Sequence, residues 1–166
     1  MNSVLIRHIG FALAVLLITG CNRSEPQAPE VGAAPTAASA PASGQLVAEL
    51  KASEPSIKTQ VGTKEQGDLA ATGKKGVLAH GPYQKLGPGR YLLTVEGATS
   101  TPFVLDVVSA RAQNTHGRKR VAPGKDAVPL TSLPFDLPTS VDDLEIRVIV
   151  PEGADTKLIG YKIVRR

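Results

Sequence analysis

The chain has 166 residues with 19 Lys and Arg against 15 Asp and Glu, so its formal charge of +4 is a modest basic excess. Only Arg118, Lys119 and Arg120 form a contiguous basic run, and no aromatic residue stands beside them to stack on bases. These features argue against a nucleic-acid-binding protein, for which a concentrated basic surface is typical.

Residues 1–20 have the three parts of an export signal. A positive opening with Arg7 precedes an apolar run over residues 9–18, and two small residues follow it. Ten residues at about 1.5 Å per residue cover about 15 Å, half of a hydrocarbon core of roughly 30 Å. The run is therefore too short for a transmembrane helix, and a signal peptide is predicted.

The one cysteine, Cys21, directly follows Leu17-Ile18-Thr19-Gly20. An ordinary secretory signal is the alternative, but it would leave Cys21 as a lone thiol in an oxidising compartment. The motif resembles the lipobox of bacterial lipoproteins, in which the cysteine becomes the lipidated first residue. That resemblance implies stable attachment to a membrane through several acyl chains. Asn22 stands where the inner-membrane retention signal has Asp, so the resemblance implies the outer membrane, on its periplasmic face.

Residues 22–44 are rich in Ala, Pro and Ser and contain no large apolar side chain. Such a segment cannot bury enough apolar surface to offset chain entropy, so residues 21–44 are predicted to be a lipidated, disordered tether. In a polyproline-like conformation, about 3.1 Å per residue would give it a reach of roughly 70 Å.

Residues 45–166 suffice for one domain with its own core, and their apolar residues recur with a strand period of two. The clearest predicted strands are 91–96, 103–108, 144–150 and 159–163, and weaker ones are 45–50, 57–61 and 75–79. In the last segment Ile159, Tyr161 and Ile163 are expected on one face. Residues 63–74 are predicted to be a loop, with a helical turn or two over Lys64–Ala71 as the alternative.

Turn signals rich in Gly and Pro separate these strands, among them Gly87-Pro88-Gly89, Pro134 and Pro138. Seven to nine short strands with such spacing predict an all-β fold, an antiparallel β-sandwich of jelly-roll type. A closed small barrel is the structural alternative. No repeat is visible, which disfavours propellers and solenoids.

Residues 76–91 contain Gly81-Pro82-Tyr83, then Leu86 and a Gly-Pro-Gly turn before Tyr91. This stretch resembles one found in jelly-roll domains appended to bacterial surface-polysaccharide enzymes and other carbohydrate-associated proteins. The resemblance covers roughly residues 76–166 and implies a carbohydrate-binding-like β-sandwich. The same residues are also explained without a ligand, by a bend at Gly81-Pro82 and a tight turn into the next strand.

His80, Tyr83 and Arg90 form the first candidate binding group. They are predicted at one end of the sandwich, where an imidazole, a phenol and a guanidinium could stack on and hydrogen-bond a sugar. The alternative is that the tyrosines only edge the core. Since the chain has no Trp and only three Tyr and three Phe, a flat aromatic platform is not expected.

The second candidate group is His116, Arg118, Lys119 and Arg120, in a polar segment predicted to be a loop. Arg geometry and Lys charge suit anionic groups such as phosphate or uronate. The alternative is a solvated hairpin end that keeps the domain soluble.

The sequence argues against an enzyme. With Cys21 lipidated no thiol remains, and neither His80 nor His116 lies in a catalytic motif. No donor cluster indicates a metal, and no cofactor is expected. The sequence thus predicts a lipid-anchored envelope module that binds a glycan or surface polysaccharide. The alternative is a protein-binding structural or assembly factor of the envelope without a small-molecule ligand.

Overall fold

Ten β-strands in two antiparallel sheets make up the computed structural model, which describes residues 44–124 and 129–166. The strands are β1 Gln45–Lys51, β2 Gly62–Glu65, β3 Asp68–Ala71, β4 Gly76–Leu86, β5 Gly89–Thr99, β6 Phe103–Ser109, β7 Asn114–Val121, β8 Thr131–Leu137, β9 Val141–Val150 and β10 Thr156–Arg165. The predicted all-β sandwich is confirmed. The predicted signal peptide, Cys21 and the tether up to residue 43 lie outside the described residues.

The six-stranded sheet runs β2-β3-β10-β5-β8, and the four-stranded sheet runs β4-β9-β6-β7. In the first sheet β1 also pairs with β10, along residues 160–165 of β10, whereas β3 pairs with residues 157–158. The turn between β4 and β5 leads the chain from the four-stranded sheet to the six-stranded one. Residues 80–83 and residue 90 therefore belong to different sheets.

The core lies between the sheets and is built from every second residue of the long strands. Leu93, Val95, Leu105, Val148 and Ile163 are each at most 1% exposed. Complete burial of such a side chain contributes about 1.5–3 kcal/mol, so this alternation decides which face of each sheet points inward. No helix within residues 44–124 and 129–166 has the length and apolarity needed to span a membrane.

The prediction of a loop or helical turn over residues 63–74 is wrong, because β2 and β3 form a hairpin there. Gln66 and Gly67 join the two strands with φ of 44° and 103°. Positive φ at both central residues is the geometry of a tight hairpin turn, and Gly at the second position favours this turn. The predicted strand at residues 57–61 is also wrong, since its only β-type pairing is an isolated bridge between Lys58 and His80. Ile57 is nevertheless buried.

In β10, Ile159 does not share a face with Tyr161 and Ile163. The register against β5 shifts between Leu158 and Gly160, so Ile159 is the extra residue of a β-bulge and is 41% exposed. Leu158 takes the core position instead. A bulge breaks the period of two at one point, which a sequence pattern does not show.

Three further elements differ from expectation. β4 continues through Gly81-Pro82 where a bend was predicted, and β7 is a strand where residues 114–120 were predicted to be a loop. β8 contains Pro134, a residue whose type predicts a turn. β8 is an edge strand that pairs only with β5. Pro has no backbone N–H, and an edge strand tolerates it because a position on its open side needs no hydrogen-bond partner in the sheet.

Candidate functional site

Tyr83 is 45% exposed, whereas every other Tyr or Phe of the described residues is almost fully buried. It lies where the register of β4 against β9 shifts between Pro82 and Gln84, and its φ is +62°. A bulky residue rarely adopts this left-handed conformation, which costs of order 1–3 kcal/mol and is concentrated at functional positions. The bulge leaves the phenol on the outer face of the four-stranded sheet.

The hydroxyl of Tyr83 is held by two neighbours. Its oxygen lies 2.6 Å from His80 Nδ1 and 3.3 Å from Glu145 Oε1, to which the phenol can donate. The rings of His80 and Tyr83 meet edge to face. Partial burial, followed by the negative charge of Glu145, raises the pKa of Tyr83. The phenol therefore remains protonated at neutral pH, and its ring is fixed in one orientation.

A row of polar and charged side chains crosses the outer face beside Tyr83. The strand register places His80 opposite Arg147, Arg147 opposite Asp106, and Asp106 opposite Arg118, on β4, β9, β6 and β7. Arg147 Nη2 donates to Asp106 Oδ2 over 2.9 Å, and Arg118 Nε lies 3.3 Å from Oδ1 at an angle that makes an ion pair without a hydrogen bond. Asp106 is only 1% exposed although it points outward, because the two guanidinium groups cover it.

These side chains border a cleft of about 360 Å³, here called the Tyr83 cleft. It is lined by Gln60, Val77, His80, Tyr83, Arg111, Ala112, Glu145 and Arg147. Its volume lies at the lower end of the range usual for small-molecule sites. The lining combines one aromatic face with a carboxylate and two guanidinium groups, so it offers both stacking and charge-assisted hydrogen bonds.

The turn between β6 and β7 forms one wall of the cleft. Ala110, Arg111 and Ala112 have φ of 52°, 55° and 66°, so three successive residues are left-handed. Each costs roughly 1–2 kcal/mol for an L-residue. The carboxylate of Asp143 accepts the N–H of Ala110 over 3.0 Å and that of Arg111 over 3.3 Å. These two hydrogen bonds, that from Ala110 first, lower the pKa of Asp143 and hold the turn in place.

A second cleft, of about 580 Å³, lies at one end of the sandwich between the β6–β7 turn and the β8–β9 loop. Its lining is mostly polar and includes His116 and Asp143. His116 Nε2 is 2.7 Å from Ser109 Oγ. Burial lowers the pKa of His116 although the charge of Asp143 opposes this. The lowered pKa favours the neutral imidazole at neutral pH.

The structure brings together some of the predicted binding residues and separates others. His80 and Tyr83 are in contact, but they lie on the sheet face and not at one end of the sandwich. Arg118 lies on the same face. Arg90 is on the six-stranded sheet opposite Asp136, His116 is in the end cleft, Lys119 donates to the carbonyl of Ser132, and Arg120 lines a separate surface near Val104.

Sequence reasoning missed Arg111, Glu145, Arg147 and the two aspartates that position them, Asp106 and Asp143. The outward direction of Glu145 and Arg147 follows from the period of two in β9. Their contact with Tyr83 does not, because it depends on which strand lies beside β9. Among residues 44–124 and 129–166 no three His, Cys, Asp or Glu side chains are grouped to hold a metal ion.

No protein-family model matches the chain, and no curated protein matches its sequence. Among solved structures, it is similar to a carbohydrate-binding module of lichenase 5A from Cellvibrio mixtus, solved in complex with cellotriose. The two share 13% sequence identity with a TM-score of 0.50, over 74% of this chain and 99% of that chain. At this identity the likeness shows a shared β-sandwich fold and does not transfer residue roles.

Proposed function

We propose that the protein is a non-catalytic carbohydrate-binding module of the bacterial cell envelope and that a sugar binds in the Tyr83 cleft. The observation that carries the proposal is the half-exposed ring of Tyr83, held by His80 and Glu145 beside Arg147. The apolar face of a sugar ring packs on an aromatic ring, and its hydroxyls bind carboxylate and guanidinium groups. The fold shared with a module solved on cellotriose supports the same reading.

The side chain of Tyr83 is already ordered without a ligand, which favours binding. A free surface tyrosine loses rotamer freedom when a ligand stacks on it, at about 0.5–1.5 kcal/mol for a mobile side chain. The hydrogen bonds to His80 and Glu145 and the left-handed backbone already fix this ring. Less binding free energy is therefore spent on ordering it.

The test is calorimetric titration of oligosaccharides into the purified protein and its Tyr83→Ala and Tyr83→Phe variants. Tyr83→Ala should weaken binding at least tenfold, because it removes the stacking face. Tyr83→Phe keeps the ring and should lose less. Ile159→Ala, an exposed apolar side chain on the other sheet, is the matched control and should bind as wild type. Binding that survives Tyr83→Ala unchanged, with each variant folded, contradicts the proposal.

The proposal places the module on the periplasmic face of the outer membrane, anchored through Cys21. Its support is the resemblance of residues 17–21 to a lipobox and the Asn at position 22. Intact-mass analysis of the mature protein should show an acylated Cys21 as the first residue, and Cys21→Ser should abolish the modification. An unmodified cysteine in the mature protein contradicts the anchor.

The alternative, a protein-binding envelope factor, is favoured by a different surface. β1 pairs with β10 alone, and its Leu46 and Val47 are 53% and 38% exposed. An open strand edge with apolar side chains can add a strand from a partner. Crosslinking from Val47 to one envelope protein, together with no binding to any glycan, would favour this function.

A further inference from the structure

The lining of the Tyr83 cleft carries more positive than negative charge. The lining holds two guanidinium groups, Arg111 and Arg147, against one carboxylate, Glu145. Asp106 and Asp143 are not part of that lining: Asp106 pairs with Arg147 and Arg118, and Asp143 accepts the backbone N–H of Arg111. Asp106 is shared by two guanidinium groups and neutralises only one of them. A neutral sugar needs no such excess.

Arg147 is held in position to bind a further anion. Asp106 engages its Nη2, and its side chain remains 25% exposed at the cleft. The buried Nε makes no hydrogen bond to any described residue. The planar guanidinium group presents several donors in a fixed fork, which fits carboxylate and phosphate oxygens. Asp106 therefore acts as a positioning residue that orients Arg147, and the donors on the exposed part of the guanidinium group, not the buried Nε, are left to a ligand.

Arg111 contributes the second cation. The turn pinned by Asp143 places it in the cleft wall, and its side chain makes no salt bridge with any described acidic residue. Glu145, the carboxylate of the cleft, is 12% exposed and faces Tyr83 and His80. The one carboxylate of the lining is thus engaged by Tyr83 and His80, and both arginines line the same cleft.

We infer that the Tyr83 cleft selects sugars bearing an anionic group, a carboxylate or a phosphate, with Arg111 and Arg147 binding the anion while the sugar ring packs on Tyr83. This inference rests on the proposed function and names its ligand class. Because the anion is partly exposed to solvent when bound, its contribution to affinity falls with ionic strength.

The test compares three probes on the purified full chain: tetragalacturonate, a maltotetraose carrying one phosphate, and neutral cellotetraose. At low salt at least one anionic probe should bind about tenfold more tightly than cellotetraose, and the difference should shrink at high salt. Which anionic probe wins distinguishes carboxylate from phosphate. Arg111→Gln should weaken the anionic probe about tenfold, equivalent to about 1.4 kcal/mol, and change cellotetraose less than twofold.

Arg90→Gln is the matched control, since it removes one exposed guanidinium from the other sheet. It should leave all three affinities within twofold. Arg147→Lys retains the charge without the fork and should lose affinity for the anionic probe with less risk to folding than removal of the charge.

The outcomes separate the two proposals. If all three probes bind equally, are insensitive to salt and Arg111→Gln, and are lost in Tyr83→Ala, the anion inference is overturned while the proposed function stands. If Arg90→Gln weakens the anionic probe as much as Arg111→Gln, the effect is one of net charge and the inference is overturned. If none of the probes and no other glycan binds, the proposed function fails and the inference with it.

Discussion

Asp106 is almost fully buried, and Asp106→Asn should destabilise the fold. The carboxylate is 1% exposed on the outer face of β6 and is shared by Arg147 and Arg118. The substitution preserves volume but removes the charge that compensates a largely buried guanidinium group. Its cost therefore reports the electrostatics of this row of side chains and not a cavity.

The two arginines contribute unequally. The side chain of Arg118 is 63% exposed, so water screens its ion pair, which is worth about 0–1 kcal/mol. The side chain of Arg147 is 25% exposed and makes a 2.9 Å charge-assisted hydrogen bond, a class worth about 1.5–3 kcal/mol. Orphaning a fully buried charge costs about 3–5 kcal/mol, and the exposed quarter of Arg147 reduces that value. We expect Asp106→Asn to lower the free energy of unfolding by about 2–3 kcal/mol.

Urea unfolding followed by circular dichroism measures this free energy. Arg118→Gln is the control and should cost less than about 1 kcal/mol. The double variant Asp106→Leu/Arg147→Leu removes both charges and should be more stable than Asp106→Asn, because the one charge left without its partner, Arg118, is largely exposed to water. A cost for Asp106→Asn no larger than that of Arg118→Gln, or a double variant less stable than the single one, would refute this account.

Three further predictions concern other parts of the chain. The hydroxyl of Tyr161 is buried without a partner among the described residues, and burial raises its pKa. Tyr161→Phe should therefore leave the free energy of unfolding in urea unchanged or raise it by about 1 kcal/mol. A clear decrease would reveal that the hydroxyl makes a hydrogen bond. The folded pKa of Asp143 is lowered, so its stabilisation is present above the unfolded value of about 3.9 and is lost as the pH falls through the folded value. Asp143→Asn should therefore flatten the acid limb of a stability–pH profile, and an unchanged profile would contradict this. Mild proteolysis should cut within residues 22–44 and release a resistant fragment, and equal resistance of that segment would contradict the predicted tether.

The alternation of apolar residues sufficed to predict the all-β sandwich and its four clearest strands, and the weaker predicted strands 45–50 and 75–79 are found as β1 and at the start of β4. Tyr91, Leu93 and Val95, like Leu144, Ile146 and Val148, point to the core as the pattern indicates. The pattern failed where the backbone departs from the period of two. Ile159 faces solvent because of a bulge, and Pro134 lies in a strand because that strand is an edge.

The site was predicted only in part, for the same reason. Tyr83 and His80 are three positions apart in one strand, a spacing that puts side chains on opposite faces of a regular strand, and the register shift between Pro82 and Gln84 brings them to the same face. Arg90 is seven positions from Tyr83 in the chain, and the intervening turn carries it to the other sheet. The aspartate that pins the β6–β7 turn, Asp143, is 33 residues from Ala110 and carries no local signal.

What the sequence determines by itself is what depends on neighbouring residues: the alternation that makes strands, the turn residues between them, and the predicted lipobox at Cys21. Only the tertiary structure decided that β4, β9, β6 and β7 lie side by side, and hence that His80, Arg147, Asp106 and Arg118 form one row across a sheet. The physical reason is that strand order and register are set by how two whole sheets bury their apolar faces together. Charged side chains on the outer face are adjacent only because that packing determines which strands are neighbours.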